Sequence, residues 1–293
     1  MGVVAGAAAV NPYVQLVRAP AALSVLGDTV AGAAAAGRPL RGRRLALPLA
    51  SVAFYWSGMA LNDWADRDLD AVERPERPIP SGRVSPNRAL GIAAGLTGAG
   101  LGLSALAGGR DALKVAAPLA AAVWAYDTVL KKTPLAAVSM AVCRSLDVLL
   151  GAGGSGAAKA VVPAAVLGGH TLGVTALSAG EVHGGSPARA AGALALTSAS
   201  AAAAVSGRGG APGHRVAALA AAAGYGVSVG SKQYAAVRKP SAAVVRTATA
   251  AGIHGMVPLQ AALAARRGGV LGAGLVALAL PLAKRLGRKV SPT

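Results

Sequence analysis

Acidic side chains are concentrated in one short stretch of this chain. Six of its eleven carboxylates fall between positions 63 and 76, in the segment LNDWADRDLDAVERPERPIPSG that follows an apolar run. On a helix, Asp63, Asp66 and Asp70 fall within an arc of about 60°, so their carboxylates converge. Carboxylates at the end of an apolar membrane helix are costly unless a cation binds them. The stretch therefore predicts a cation site.

The cation that best suits this face is Mg²⁺ carrying a phosphorylated substrate. Mg²⁺ prefers oxygen ligands, keeps several of its waters, and is usually shared between a few carboxylates and substrate phosphates. Asn62 is placed to orient a ligand or a water molecule, whereas Asp68 points away from the face. The alternative is a solvated helix end in which Glu73 pairs with Arg77 at i, i+4. Function is favoured because acids are scarce and the neighbouring segments are apolar.

The composition is that of a polytopic membrane protein. Hydrophobic residues make up 54% of the 293 residues, charged residues make up 14%, and the mean hydropathy is +0.53, whereas soluble domains have about 25% charged residues. The net charge of +18 fits anionic lipid headgroups and an anionic substrate, because the basic residues fall between apolar runs without a nucleic-acid motif. A single cysteine, Cys143, excludes a disulfide framework. The expected partner is the lipid bilayer and not nucleic acid.

Apolar segments of the length that crosses a bilayer recur along the whole chain. They predict an all-α, polytopic transmembrane bundle of nine or ten helices, forming one domain over residues 1–293. The first ten residues lack a cationic start, so no cleavable signal peptide is expected. The basic loop residues favour a cytoplasmic N-terminus, with the acidic stretch on the cytoplasmic side of the inner membrane. The predicted spans are 13–36, 45–63, 88–108, 112–130, 134–153, 160–180, 188–206, 214–234, 241–264 and 269–287.

The acidic stretch resembles the first aspartate-rich motif of the UbiA superfamily of membrane prenyltransferases. The residues that carry the resemblance are Asn62, Asp63, Asp66 and Asp70, followed by Arg74, Arg77-Pro78 and Ser81-Gly82. Two further segments resemble the first helix of that family and its loop between helices four and five; they are Leu16-x-Arg18-x-Pro20 and Tyr126 with Lys131-Lys132-Thr133-Pro134. The motifs cover residues 13–153, and the remainder is similar in hydropathy alone.

The resemblance implies a helical bundle with a cytoplasm-facing cavity, where Mg²⁺ holds the diphosphate of an isoprenyl donor. Ionisation of the prenyl diphosphate then leaves an allylic cation, which a small hydrophobic acceptor captures. Such a leaving group is stabilised by Mg²⁺ and nearby cations. The implied metal ligands are Asp63, Asp66 and Asp70. The implied substrate contacts are Asn62, Arg74, Arg77, Lys131 and Lys132, although the two lysines are equally typical of a positively charged membrane anchor.

Three aromatic residues near predicted helix ends have two interpretations. Tyr126, Trp124 and Trp64 either face the cavity, where their rings stabilise a carbocation, or form an interfacial aromatic belt.

The second aspartate-rich motif, which the family carries after its sixth helix, is degenerate in this chain. Residues 178–189 read SAGEVHGGSPAR, without an aspartate, and Glu181 stands where a metal ligand is implied. Together with Cys-Arg-Ser-Leu-Asp in the fifth span, this segment resembles the divergent EboC-like branch of the superfamily. An alternative function follows from it: a catalytically divergent UbiA-like protein that binds or helps export a lipid-like metabolite.

Two further acids lie within predicted spans. Asp147 is three residues from Arg144, a spacing that predicts an ion pair, since a lone buried charge is expensive; Asp147 is otherwise a second candidate metal ligand. Asp28 has no evident local partner in the sequence.

Overall fold

Helices make up the regular structure in every described part of the chain. The computed structural model describes residues 11–206, 211–269 and 271–278. These ranges contain no strand, and the all-α prediction is confirmed. The expectation about a signal peptide and the last part of the final predicted span fall outside the described residues.

The helices follow the predicted apolar segments closely. Spans predicted from residue 45 onwards agree with the observed helices to within a few residues, and residues 271–278 are also helical. The α-helices are α1 Pro12–Leu16, α2 Leu26–Ala36, α3 Ala46–Ala65, α4 Arg67–Glu73, α5 Pro86–Thr128, α6 Ala136–Ala152, α7 Ala157–Ser178, α8 Pro187–Val205, α9 Pro212–Arg238 and α10 Ala242–Arg266.

The first predicted span, 13–36, is not one continuous helix. It is divided into α1, a 3₁₀ segment at Ala19–Ser24, and α2. The break is at Arg18, a non-glycine residue with left-handed backbone angles (φ 46°, ψ 50°), a conformation that is uncommon for residues with a Cβ. Pro20 follows within the 3₁₀ turn and has no backbone N–H to continue an α-helix. The break directs Arg18 towards α3.

Two predicted spans, 88–108 and 112–130, form the single long element α5. Gly109 interrupts its helical geometry with φ 57° and ψ −142°, angles that glycine tolerates because it lacks a Cβ. Directly after the break, the Asp111 carboxylate accepts hydrogen bonds from Arg38 at 2.9 Å and from the Ser155 backbone at 2.7 Å. The chain therefore changes direction at Gly109, as the sequence predicts.

Helices α2 and α6 pack backbone against backbone. A Cβ added to Gly32 would meet the carbonyl oxygen of Val148, and a Cβ added to Gly151 would meet the carbonyl oxygen of Thr29. Small residues permit this close approach of membrane helices. The contact places the side chain of Asp28 on α2 beside that of Arg144 on α6, and the two form an ion pair.

Several helices are suited to a bilayer. Within the described residues, five helical segments are long and apolar enough to cross a membrane; they are Ala19–Ala36, Gly42–Ala65, Pro86–Thr128, Gly154–Ser178 and Pro187–Val205. With the apolar composition, these segments characterise an integral membrane protein.

Candidate active site

The three predicted metal-binding aspartates lie at a junction between two helices. Asp63 is in the last turn of α3, Asp70 is in the middle of α4, and Asp66 lies between them with non-helical backbone angles (φ −98°, ψ 8°). The expectation of one uninterrupted helix is therefore wrong at Asp66. Asp63 and Asp70 are nonetheless buried, with 3% and 1% of their surface exposed.

Arg77 connects two of these carboxylates. Its Nη1 atom donates to Asp70 Oδ2 at 2.5 Å and to Asp63 Oδ1 at 3.4 Å. Two buried carboxylate oxygens thus converge on one cationic nitrogen. The pair between Glu73 and Arg77, which belonged to the alternative of a solvated helix end, is not among the observed ion pairs: Arg77 turns inward and Glu73 is exposed.

The loop after α4 is folded so that Arg77 faces the aspartates. Ser81 Oγ donates to the backbone carbonyl of Arg77 at 2.6 Å, and the Val84 backbone N–H donates to the carbonyl of Pro78 at 2.9 Å. Gly82 takes a φ of 73° at the turn, a region that favours glycine. The arginine-proline and serine-glycine pairs of the motif therefore have a local structural role: they shape the turn that carries Arg77.

Other cations complete the charge balance of the cluster. Arg18 Nη2 lies 2.9 Å from Asp63 Oδ1, while Lys131 Nζ and Lys132 Nζ lie 2.7 and 3.8 Å from the two oxygens of Asp66. Arg74 is more peripheral, because its Nη1 is 3.7 Å from Asp70 and half of its side chain is exposed. Arg18 and the predicted substrate contacts Arg74, Arg77, Lys131 and Lys132 therefore all lie against the predicted metal ligands.

Asp127 is a site residue that the sequence reasoning missed. It is buried near the end of α5, and its Oδ1 accepts a 3.3 Å hydrogen bond from Asn62 Nδ2. The Asn62 carbonyl in turn accepts from Lys131 Nζ at 3.5 Å. The available signal was the position of Asp127 beside Tyr126 and four residues before Lys131, two residues that the family resemblance had already selected.

The side chains of this cluster have the oxygen donors that Mg²⁺ prefers, but they are not positioned around a common metal site. No group of three or more His, Cys, Asp or Glu side chains among the described residues is placed to hold a metal ion. The donors are carboxylate oxygens, which Mg²⁺ prefers, and the Arg77 nitrogen lies between Asp63 and Asp70, as a shared cation does. The aspartates therefore supply donors of the type that Mg²⁺ prefers, while their carboxylates are paired with arginine and lysine in this arrangement.

Glu181 is not brought into this cluster. It lies in the loop after α7, and its backbone carbonyl accepts a hydrogen bond from Arg246 Nη1 at 2.7 Å. In the described structure it belongs to no metal-binding group with the three aspartates. The neighbouring His183 is exposed.

A cavity of about 390 Å³ extends from Asn62 and Asp127 into the bundle, a volume in the range of small-molecule sites. Tyr126 lines it, as one interpretation of the aromatic residues predicts, but Trp124 and Trp64 do not. Trp124 donates to Thr97 and Trp64 stacks beneath Arg67. The lining residues are Arg18, Ser24, Val25, Ser51, Phe54, Tyr55, Gly58, Met59, Asn62, Leu119, Val123, Tyr126, Asp127, Met140, Cys143, Arg144, Asp147 and Ile253.

A polar cluster forms the inner end of the cavity, and its pairing differs from the sequence prediction. Arg144 pairs with Asp28 and not with Asp147. The reason is the close contact of α2 with α6, which places Asp28 within reach; the other oxygen of Asp28 accepts from Gln260 Nε2 at 2.8 Å. Asp147 instead accepts a 2.6 Å hydrogen bond from Ser51 Oγ.

Solved structures with a similar fold include two UbiA homologues. A UbiA homologue from Aeropyrum pernix superimposes with a TM-score of 0.63 at 18% identity, covering 79% of this chain and 94% of that chain. A UbiA homologue from Archaeoglobus fulgidus, solved with DMAPP and Mg²⁺, superimposes with a TM-score of 0.58 at 12% identity, covering 83% and 98%. At these identities the likeness establishes the fold.

Sequence comparison supplies the family. A digeranylgeranylglyceryl phosphate synthase from Methanopyrus kandleri is 38% identical over 124 residues, which is 42% of this chain and 45% of the relative. The chain thus spans less than half the length of the curated relative that it matches. The sequence model of the UbiA prenyltransferase family matches residues 24–181, a range that contains the three aspartates, Arg77, both lysines and most of the cavity wall. The chain belongs to the UbiA prenyltransferase family.

Proposed function

We propose that this protein is an integral membrane prenyltransferase that moves an isoprenyl group from a prenyl diphosphate to a small hydrophobic acceptor with the help of Mg²⁺. The observation that carries the proposal is the convergence of Asp63 and Asp70 on one cationic atom, at the mouth of an apolar cavity and among Arg18, Lys131 and Lys132. The Archaeoglobus fulgidus relative, which binds DMAPP and Mg²⁺, supports the choice of donor and metal.

The aspartates and the cations have separate roles in this reaction. Asp63, Asp66 and Asp70 would hold Mg²⁺, which supplies charge stabilisation for the departing diphosphate. Arg77, Arg18 and Lys131 already lie against those carboxylates, so each can transfer its hydrogen bonds to diphosphate oxygens. Arginine suits this role because its planar fork binds phosphate oxygens in pairs. Asn62 would orient the donor beside Asp127.

The bond changes follow from this arrangement. The bond between the allylic carbon and the diphosphate oxygen breaks, and its electron pair leaves with the diphosphate. An electron pair of the acceptor then forms a bond to that carbon, and the acceptor loses a proton. The walls formed by Phe54, Met59 and Val123 would keep water away from the allylic carbon, where it would otherwise capture the cation.

The test is release of diphosphate from a prenyl diphosphate by the purified protein in nanodiscs, with and without Mg²⁺. We expect the release to require Mg²⁺ and to fall by about 10²-fold or more in Asp63→Ala and Asp70→Ala, the scale seen when one electrostatic contact to a developing anion is removed. Asp68→Asn is the matched control, because Asp68 is in the same stretch but its side chain is 89% exposed. Absence of release from donors of every chain length would contradict the proposal.

One observation favours a second function, binding without catalysis. The aspartates are neutralised by protein cations, and Glu181 stands apart from them, so a prenyl diphosphate could be bound by the basic residues and left intact. Such a protein would bind or help export a lipid-like metabolite. The same preparation separates the two functions, since this alternative requires donor binding that continues in Asp63→Ala and yields no diphosphate.

We propose that the site faces the cytoplasm in the cytoplasmic membrane. The loop that holds Arg74, Arg77 and Arg83 and the turn that holds Lys131 and Lys132 are at the end of the bundle where the aspartates lie, and such basic loops are typically cytoplasmic. A Glu76→Cys variant should react with a membrane-impermeant maleimide in inverted vesicles and not in intact cells. The native Cys143 is buried and serves as the unreactive background.

A further inference from the structure

Asp147 has an unpaired oxygen at the inner end of the cavity. The residue is 6% exposed and lines the cavity from α6. Its Oδ2 accepts from Ser51, but its Oδ1 has no hydrogen-bond partner within the described structure. A buried polar atom without a partner is costly in apolar surroundings. The atom therefore needs water or a polar group beside it in the cavity.

Arg144 does not satisfy this oxygen. The Nη1 atom of Arg144 donates to Asp28, which is fully buried and also accepts a hydrogen bond from Gln260. Among the described residues, Asp147 makes no ion pair of its own. The polar cluster at the inner end of the cavity, formed by Asp28, Arg144 and Asp147, consequently has one more acid than base.

The distance between the two polar ends of the cavity can be read along α3. Asn62 lies at the mouth and Ser51 at the inner end, eleven residues away on the same helix, which corresponds to roughly 16 Å at the rise of an α-helix. The wall between them includes Phe54, Met59 and Leu119 and is mostly apolar. The cavity thus has an apolar middle of limited length between two polar ends.

That length can be compared with extended hydrocarbon chains. An extended backbone advances about 3.5 Å for every three bonds. At the same advance per bond, three isoprene units of four bonds each cover about 14 Å, and four units cover about 19 Å. Three units end before Asp147 and four units reach it.

We propose that Asp147, held by Ser51, sets an upper limit of three isoprene units on the prenyl donor. A tail of ten or fifteen carbons leaves space for water beside Oδ1 of Asp147. A tail of twenty carbons presses its terminal methyl groups onto that oxygen and removes the water. This inference rests on the proposed function, because it concerns the tail of the donor whose diphosphate binds at the aspartates.

The test measures binding of non-hydrolysable S-thiolodiphosphates carrying geranyl, farnesyl and geranylgeranyl tails, by calorimetry in nanodiscs with Mg²⁺. In the wild type we expect affinity to increase from geranyl to farnesyl and to drop for geranylgeranyl on the order of tenfold, the cost of an unpaired buried polar atom. Asp147→Leu should remove the drop, because the inner wall becomes apolar at similar volume. Asp147→Asn should retain it, because the side chain stays polar.

Three outcomes would count against the inference or its premise. Equal affinity for farnesyl and geranylgeranyl tails in the wild type would by itself overturn the length limit. That result is expected if the tail leaves the cavity sideways past Ile253, which lines the cavity and is exposed. A geranylgeranyl penalty that persists in folded Asp147→Leu would assign the limit to another residue. Failure of every analogue to bind would overturn the proposed function itself.

Discussion

Arg77 is the residue that joins the first aspartate-rich motif into one unit. Its Nη1 lies between Asp63 and Asp70, and only about a fifth of its side chain is exposed. Without a cation between them, two buried carboxylates repel each other. Under the proposed function a divalent ion would take the same position as the guanidinium, and the two would compete for it.

Replacing Arg77 tests this competition. We expect Arg77→Ala to lower the free energy of unfolding by up to about 3 kcal/mol, the lower end of the cost of breaking a buried ion pair, because Arg18 and Arg74 still contact the two acids. We also expect Mg²⁺ to raise the Tm of Arg77→Ala more than that of the wild type, since the ion then neutralises both carboxylates. Thermal unfolding in detergent at several Mg²⁺ concentrations measures both effects.

Arg74→Ala is the matched control for that experiment. Half of the Arg74 side chain is exposed and its contact with Asp70 is 3.7 Å, so we expect a change in the free energy of unfolding of less than about 1 kcal/mol. Equal Mg²⁺-dependent shifts of Tm in Arg77→Ala and in the wild type would show that the ion binds elsewhere.

Ion pairs inferred from neighbouring residues in the sequence were wrong at two positions. Asp147, the predicted partner of Arg144, and Glu73, the partner of Arg77 in the alternative interpretation, are three or four residues away, while the observed partners include Asp28 and Asp63. Helical spacing identifies which side chains can meet within one helix. Arg77 and Arg144 instead point into the bundle, where their partners lie on other elements. The types of the site residues could be predicted from the sequence, whereas their pairing depended on how the helices pack.

At the level of elements, the hydropathy of the sequence located the long helices. It did not indicate where helices are interrupted near the site. The long spans agree with the sequence because apolar runs of bilayer length leave few alternatives. Neither break residue, Arg18 or Asp66, is a glycine or a proline, the residues that most often mark a break. Both breaks lie beside the site: Arg18 contacts Asp63, and Asp66 contacts Lys131. Arg18 also lines the cavity, and irregular backbone is tolerated in membrane proteins where it lines a cavity.

The contact between α2 and α6 depends on glycine. A methyl group at Gly151 would collide with the backbone of Thr29, and backbone cannot move aside as a flexible side chain can. We expect Gly151→Ala to lower the free energy of unfolding by at least about 2 kcal/mol, in the range of overpacked cores. The variant should also weaken the pairing of Asp28 with Arg144. A denaturant titration of the protein in mixed micelles measures the change.

Gly95→Ala provides the comparison for Gly151→Ala. Gly95 lies on an exposed face of α5, and a Cβ there would meet nothing within 4 Å. The higher helix propensity of alanine should leave the stability unchanged or raise it by up to about 1 kcal/mol. If both variants behaved alike, the close approach of α2 and α6 would have no energetic role.

At the level of the whole molecule, the site belongs mainly to the first half of the chain. The carboxylates and their described cation partners lie on segments up to α6, and Ile253 on α10 is the cavity-lining residue that comes from beyond α6 in the described structure. Composition and hydropathy could predict an integral membrane bundle, and the spacing of the aspartates could predict that Asp63 and Asp70 lie close together. The inner polar wall could not be predicted, since Asp28, Arg144 and Gln260 are far apart in sequence.

Glu181 offers the remaining link between the two halves, because it is the last carboxylate in the sequence and follows Asp147 by 34 positions. If it supplies a metal ligand, Glu181→Ala should raise the Mg²⁺ concentration needed for half-maximal diphosphate release by about 10-fold, the lower end of the effect of losing a group that supports a metal site. The maximal rate should change less than in Asp70→Ala, since Asp70 also binds Arg77. Glu73→Ala, an exposed acid on α4, should leave the Mg²⁺ requirement unchanged. An unchanged Mg²⁺ requirement in Glu181→Ala would mean that no carboxylate from the second half of the chain binds the metal. The degenerate second motif would then have no part in metal binding.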